Sequence, residues 1–224
     1  MSQPELLARS GPGRPSGGSE QKRAAIMAAA LRLFERDGFA RTSVDAIADE
    51  AGVSKRTIYN HYGDKKTLFL SLVRETYTAL IEAVSAMMEY NLSDLADEAD
   101  VARGITEFAR ELALLSSMSP ERRSLIRLMM TEAPHFPELR AEQLRPRGIT
   151  AALAERLAKL TARGLLDVPD PEDAANHLIA LTMGRVNNRS LYGAFMPPEE
   201  EVMRMATSGA AAFLRAYRPG AFAG

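Results

Sequence analysis

Between positions 54 and 66 the sequence gathers side chains that bind anions: Ser54, Lys55, Arg56, Thr57, Tyr59, Asn60, His61, Lys65 and Lys66, with Asp64 the one carboxylate among them. Lysine and arginine donate either to guanine edges or to phosphate. Threonine, tyrosine and histidine donate to phosphate oxygens, which fixes register without reading sequence. Chemistry of this kind is binding of a duplex rather than catalysis. A solvated charged face has the same composition, so the distinction rests on how the segment is built.

Residues 42–66 read TSVDAIADEAGVSKRTIYNHYGDKK. Val44, Ile47, Ala48 and Ala51 recur at helical spacing, with Thr42 and Ser43 available as caps. Gly52 supplies the left-handed residue that ends this short helix. Ser54 then caps a second short helix from Lys55 to Tyr62, which Gly63 stops. Asp64 caps a long helix carrying Leu68, Phe69, Leu72, Leu80 and Val84. Two short amphipathic helices joined by a tight turn follow the helix-turn-helix plan. Ala48 is small enough to let the helices approach, and Val53 and Ile58 fill the angle between them. Lys55, Arg56, Thr57, Tyr59, Asn60 and His61 then point away from the core. The start of the long helix adds unpaired amides beside Lys65, a favourable place for an anion.

Residues 22–72 resemble the DNA-binding domain of the TetR (tetracycline-repressor) family. The run Ile47-Ala48, Ala51-Gly52-Val53-Ser54, Tyr59, Tyr62, Lys65 and Leu68 carries the resemblance. It implies that Thr42, Tyr59, His61 and Lys65 contact phosphate, and that Lys55, Arg56 and Asn60 lie nearest the bases. Arg56 stands where many members have a small residue, so it reads a further base or binds phosphate. Gly63-Asp64 replaces a more usual polar-serine pair. Residues 128–139, LMMTEAPHFPEL, resemble a C-terminal domain found in one branch of the family.

The chain has 224 residues and no cysteine, which excludes disulfides and thiolate sites and suits a reducing, cytoplasmic setting. No apolar run at the start suits a signal peptide, and none elsewhere suits a membrane span. Net charge is −1. Residues 1–70 hold 11 Lys/Arg against 8 Asp/Glu and the remainder 17 against 21, so a locally basic segment sits on an acidic body. The pattern predicts an all-α fold of about nine helices. Ser19 caps the first, which Gly38 ends. Asp100 precedes a helix over residues 101–117, and Ser119-Pro120 opens the next. A helix from Pro137 kinks near Pro146 and reaches Gly164; the last two open at Pro171 and Pro198. The expected organisation is a disordered arm (residues 1–18), a three-helix DNA-binding domain (19–66), a larger ligand-binding and dimerisation domain (67–218) and a flexible tail (219–224).

His61, His135 and His177 lack metal-ligand spacing, and no nucleophile elbow or nucleotide fingerprint appears. Neither enzymatic activity, nor a metal, nor a cofactor is expected. The loop GRPSGGS lacks the lysine of a phosphate-binding loop. Gly13-Arg14-Pro15 resembles an AT-hook, a minor-groove binder; a plain flexible tail is the other reading. Methionine fills irregular apolar space, so Met88, Met129, Met130 and Met183, with Phe108, Phe136, His135 and Asn187, are candidate walls of a cavity for an apolar or amphipathic effector needing little charge neutralisation. Met87 and Met118 belong to the same group.

Small residues mark the last two helices: Ala174, Ala175, Ala180 and Gly184, then Ala206, Gly209, Ala210 and Ala211. The family resemblance implies a homodimer built on these helices. Its two-fold axis would match a palindromic double-stranded DNA operator. The expected function is ligand-responsive transcriptional regulation, with the long fourth helix as lever. A helical ligand-binding or scaffolding protein without specific DNA binding is the alternative, and an architectural DNA binder a third.

Overall fold

The computed structural model describes residues 17–140 and 147–221. The arm with Gly13-Arg14-Pro15 and the position of Pro146 lie outside them. All regular structure among the described residues is helical: α1 Gly17–Arg41, α2 Val44–Ala51, α3 Lys55–Tyr62, α4 Lys65–Leu92, α5 Glu98–Met118, α6 Pro120–Glu132, a 3-10 turn Ala133–His135, α7 Pro137–Arg140, α8 Arg147–Ala162, α9 Pro171–Arg189 and α10 Glu199–Ala216. The extra helix relative to expectation is the single turn α7.

Local signals set most boundaries. Ser43 accepts from the Ala46 amide, Ser54 from Thr57 and Asp64 from Thr67, each satisfying an orphan donor at a helix start. Gly52 takes φ 65°, closing α2 in the left-handed region. Three details depart from the sequence reading. The first helix is already formed at Gly17, ahead of Ser19. Gly38 breaks it, at φ 78° and ψ 162°, yet a further turn continues to Arg41. Finally, α5 begins at Glu98 and is capped by Asp97, because the Asp97 carboxylate reaches the Asp100 amide while the Asp100 side chain accepts from Ala96.

Two apolar clusters divide the core. One holds Ile26, Phe34, Ile47, Ile58, Tyr62, Leu68, Phe69 and Val73, and also Leu125, Leu128, Phe136 and Leu139. The N-terminal unit therefore rests on the start of α4 and on the α6–α7 segment. Phe136, expected in a ligand cavity, instead packs with Phe39 and Phe69 at ring-centroid distances of 4.7 Å each. The other cluster joins the end of α4 with α5, α8, α9 and α10 around Met88, Phe108, Leu153, Leu178 and Phe213. Within it α9 and α10 approach closely: a Cβ on Gly209 would lie 2.2 Å from the Leu181 carbonyl oxygen. Ala174, Ala175, Ala206 and Ala210 are fully buried inside the chain, so these small residues serve packing within the protomer. Gly184 faces open space. None of the described helices is long and apolar enough to cross a membrane.

Candidate nucleic-acid interface

Helix α3 has a buried side and an exposed side. Ile58 and Tyr62 sink into the N-terminal core, fixing the helix against α1, α2 and α4. Arg56, Tyr59, Asn60 and His61 face outward, and Tyr59 is 43 % exposed. The side chains of Arg56, Tyr59 and Asn60 make no hydrogen bond or ion pair among the described residues, which leaves their polar groups available. Ser54 and Thr57 are partly committed to the cap: their hydroxyls lie 2.8 Å apart and Ser54 accepts from the Thr57 amide. Lys55 reaches back to α2, 2.7 Å from the Asp45 carboxylate, and that hydrogen bond holds its ammonium above the usual lysine pKa.

Two residues expected at phosphate have their donors committed inside the protein. Thr42 is 3 % exposed, and its hydroxyl donates to the Leu33 and Gly38 carbonyls at 3.1 and 2.8 Å. It closes the break at Gly38 rather than facing solvent. The Lys65 ammonium donates to the carbonyls of Phe39 and Thr42 at 2.9 Å each and of Ala40 at 3.3 Å, and lies 4.4 Å from the centre of the Phe39 ring. Carbonyl oxygens freed where α1 breaks need a donor, and Lys65 supplies it. Sequence periodicity gave no hint of this, because the accepting carbonyls and the lysine are 23 to 26 positions apart.

A cavity of about 250 Å³ lies between α4, α5, α6, α8 and α9. Tyr77, Leu80, Leu112, Leu125, Ile126, Ile149, Ile179 and Met183 form its apolar walls, with Thr76, Ser116, Arg122, Thr150 and Asn187 its polar points. Of the expected pocket residues only Met183 and Asn187 border it. Met88 and Phe108 are completely buried in the core away from it. Met129 packs against the N-terminal cluster, Met130 is 55 % exposed, and His135 is solvent-facing beside Glu132. Composition had no means of giving these side chains a direction. His177, outside the cavity, pairs its Nδ1 with the Tyr217 hydroxyl at 2.6 Å. Sequence reading missed Arg122. Among the described residues no group of histidine and acidic side chains could hold a metal ion.

Helix α6 ties this cavity to the N-terminal unit. The Glu132 carboxylate, buried, accepts from the Phe39 amide at 3.0 Å, just past the Gly38 break. Arg127 pairs with Glu35 and also donates to the Gly193 carbonyl.

Comparison with known proteins matches both ends of this architecture. Residues 26–72 match the family of bacterial regulatory proteins, tetR family, and residues 103–219 match the C-terminal domain of AefR-like transcriptional repressors. The chain is 45 % identical over 60 residues to the HTH-type transcriptional regulator EthR of Mycolicibacterium smegmatis, covering 27 % of each protein. It is 37 % identical over 102 residues to the HTH-type transcriptional regulator LmrA of Bacillus subtilis, covering 43 % of this chain and 47 % of LmrA. These matches thus span a quarter to a half of the curated relatives' length. A solved TetR-family transcriptional regulator from Mesorhizobium loti superposes with TM-score 0.78 at 30 % identity, covering 91 % of this chain and all of that one. The flavonoid-responsive regulator FrrA superposes with TM-score 0.65 at 28 % identity, over 89 % and 98 %. With the C-terminal match alone covering half the sequence and the helix-turn-helix match falling on α1–α4, the chain belongs to the TetR family of bacterial transcriptional regulators.

Proposed function

We propose that the protein is a cytoplasmic homodimer that holds a palindromic operator through α3 and releases it when a small effector enters the cavity. The observation that carries the reading is the outward side of α3: Arg56, Tyr59 and Asn60 stand unpaired on a helix whose opposite side is locked by Ile58 and Tyr62. A rigid rod with free donors is what major-groove reading needs. The apolar cavity supports an effector, and a relative named flavonoid-responsive supports its being a small organic molecule.

In this reading α6, as well as α4, couples cavity and operator. Thr76, Tyr77 and Leu80 of α4 line the cavity, while Leu68, Phe69, Leu72 and Val73 of the same helix sit in the N-terminal core. Leu125 of α6 touches both, and Glu132 at its far end holds α1. A ligand that favours the released arrangement by about 1–3 kcal/mol gives useful control. The test is selection of bound duplexes from a random pool, followed by footprinting. A discrete palindromic footprint is expected. Uniform protection or no enrichment would refute operator recognition.

A further inference from the structure

The cavity's polar points are unequal. Thr76 spends its hydroxyl on the Leu72 carbonyl at 2.9 Å. Burial pushes the Tyr77 phenol up, so it stays a neutral donor. Arg122 is different: its Nη1 is buried with no hydrogen-bond partner, and among the described residues none that borders the cavity is acidic. Nearby arginines on α6 show what a satisfied one looks like. Arg123 donates to the Ser117 carbonyl at 2.7 Å, and Arg127 holds Glu35 and Gly193. Of these three, the one facing the cavity is the one left without a partner.

Arg122 is half-buried, and leaving one nitrogen of its guanidinium desolvated and unpaired carries a cost that arginine does not escape by losing its proton. Burial lowers the Arg122 pKa, and no neighbouring carboxylate offsets it. Its position adds to the imbalance. Arg122 lies in the first turn of α6, where the helix end is itself positive. A second positive charge there is unfavourable until an anion arrives.

We infer that the cavity takes an amphipathic monoanion, its acidic group paired with the Arg122 guanidinium and its apolar body against Leu80, Leu112, Ile149 and Ile179. This differs from the expectation that the effector needs little charge neutralisation. It rests on the cavity being the effector site. An acid docked on Arg122 binds the first turn of the helix whose last turn holds the Phe39 amide.

The probes are decanoate, decanol and decyltrimethylammonium, which share a chain and differ in charge. Binding to the full-length protein is followed by calorimetry, each probe kept below its micellar range. Decanoate is expected to bind at least about tenfold more tightly than decanol, with the cation weakest. Arg122→Met should remove that preference, leave decanol binding intact and hold or raise the thermal midpoint of the free protein, because it deletes an unpaired, partly desolvated charge. Arg122→Gln provides a second, polar replacement with the same expected loss. Equal binding of acid and alcohol, no binding of any probe, or a preference that survives both substitutions overturns the inference. Release of selected duplexes is measured in parallel. Arg122-dependent binding without release upholds the anion site and refutes the proposed regulation.

Discussion

Asp45 competes with an incoming phosphate for the Lys55 ammonium. That ammonium is exposed and sits 2.7 Å from a carboxylate that is also exposed, so the pair is weak and exchangeable. Removing the competitor should favour DNA. Asp45→Asn is expected to tighten binding to any duplex a few-fold and to steepen the salt dependence, while Lys55→Ala lowers the slope by about one. Fluorescence anisotropy across a salt series reads both; unchanged slopes would place Lys55 away from phosphate. Lys65 presents the opposite case, since its donors are already used on three carbonyls. Lys65→Met should cost about 1–3 kcal/mol of folding stability, because carbonyls at the Gly38 break lose their partner. Denaturant melts check this. A weakened DNA affinity with an unmoved melt would return Lys65 to the phosphate role that the family resemblance implies.

Helix α6 joins two cores that the sequence presents as separate. Its N-terminal turn borders the cavity through Arg122, and its C-terminal residue Glu132 accepts the Phe39 amide. Glu132→Ala is expected to cost about 1–3 kcal/mol and to blunt effector-driven release more than it alters effector affinity. Comparing ligand titrations with and without DNA reads that difference, and unchanged release would exclude α6 as a coupling element. Little of this was legible beforehand. The helix-turn-helix was readable because its determinants are local: Ser43, Gly52, Ser54 and Asp64 each act within three or four residues. PERRSLIRLMMTE gives helix α6 but not which neighbour each side meets, because that depends on residues such as Phe39, almost a hundred positions away. The methionines misled for the same reason. Met88 and Met130 are chemically identical, yet one is completely buried and the other mostly exposed.

A palindromic operator requires two copies of α3 at fixed separation, so the whole-molecule argument turns on what covers the outer side of α9. Gly209 is occupied within the protomer by the Leu181 carbonyl, whereas Gly184 has nothing within 4 Å of an added Cβ. Leu181 is 38 % exposed on the same helix, and Leu191, Tyr192, Phe195 and Met196 stand exposed in the segment that follows it. Exposed apolar groups on α9 and just after it favour association with a second copy. Gly184→Leu separates folding from assembly. In an isolated protomer the new side chain meets open space and replaces a poor helix former, so helical signal and melting should hold or improve. Where a partner packs against α9, the same side chain wedges the copies apart. Light scattering is expected to show monomer for Gly184→Leu and dimer for the parent chain, with the preference for palindromic over half-site duplexes lost in step. A variant that stays dimeric and keeps that preference would move the two-fold axis to another face of the molecule.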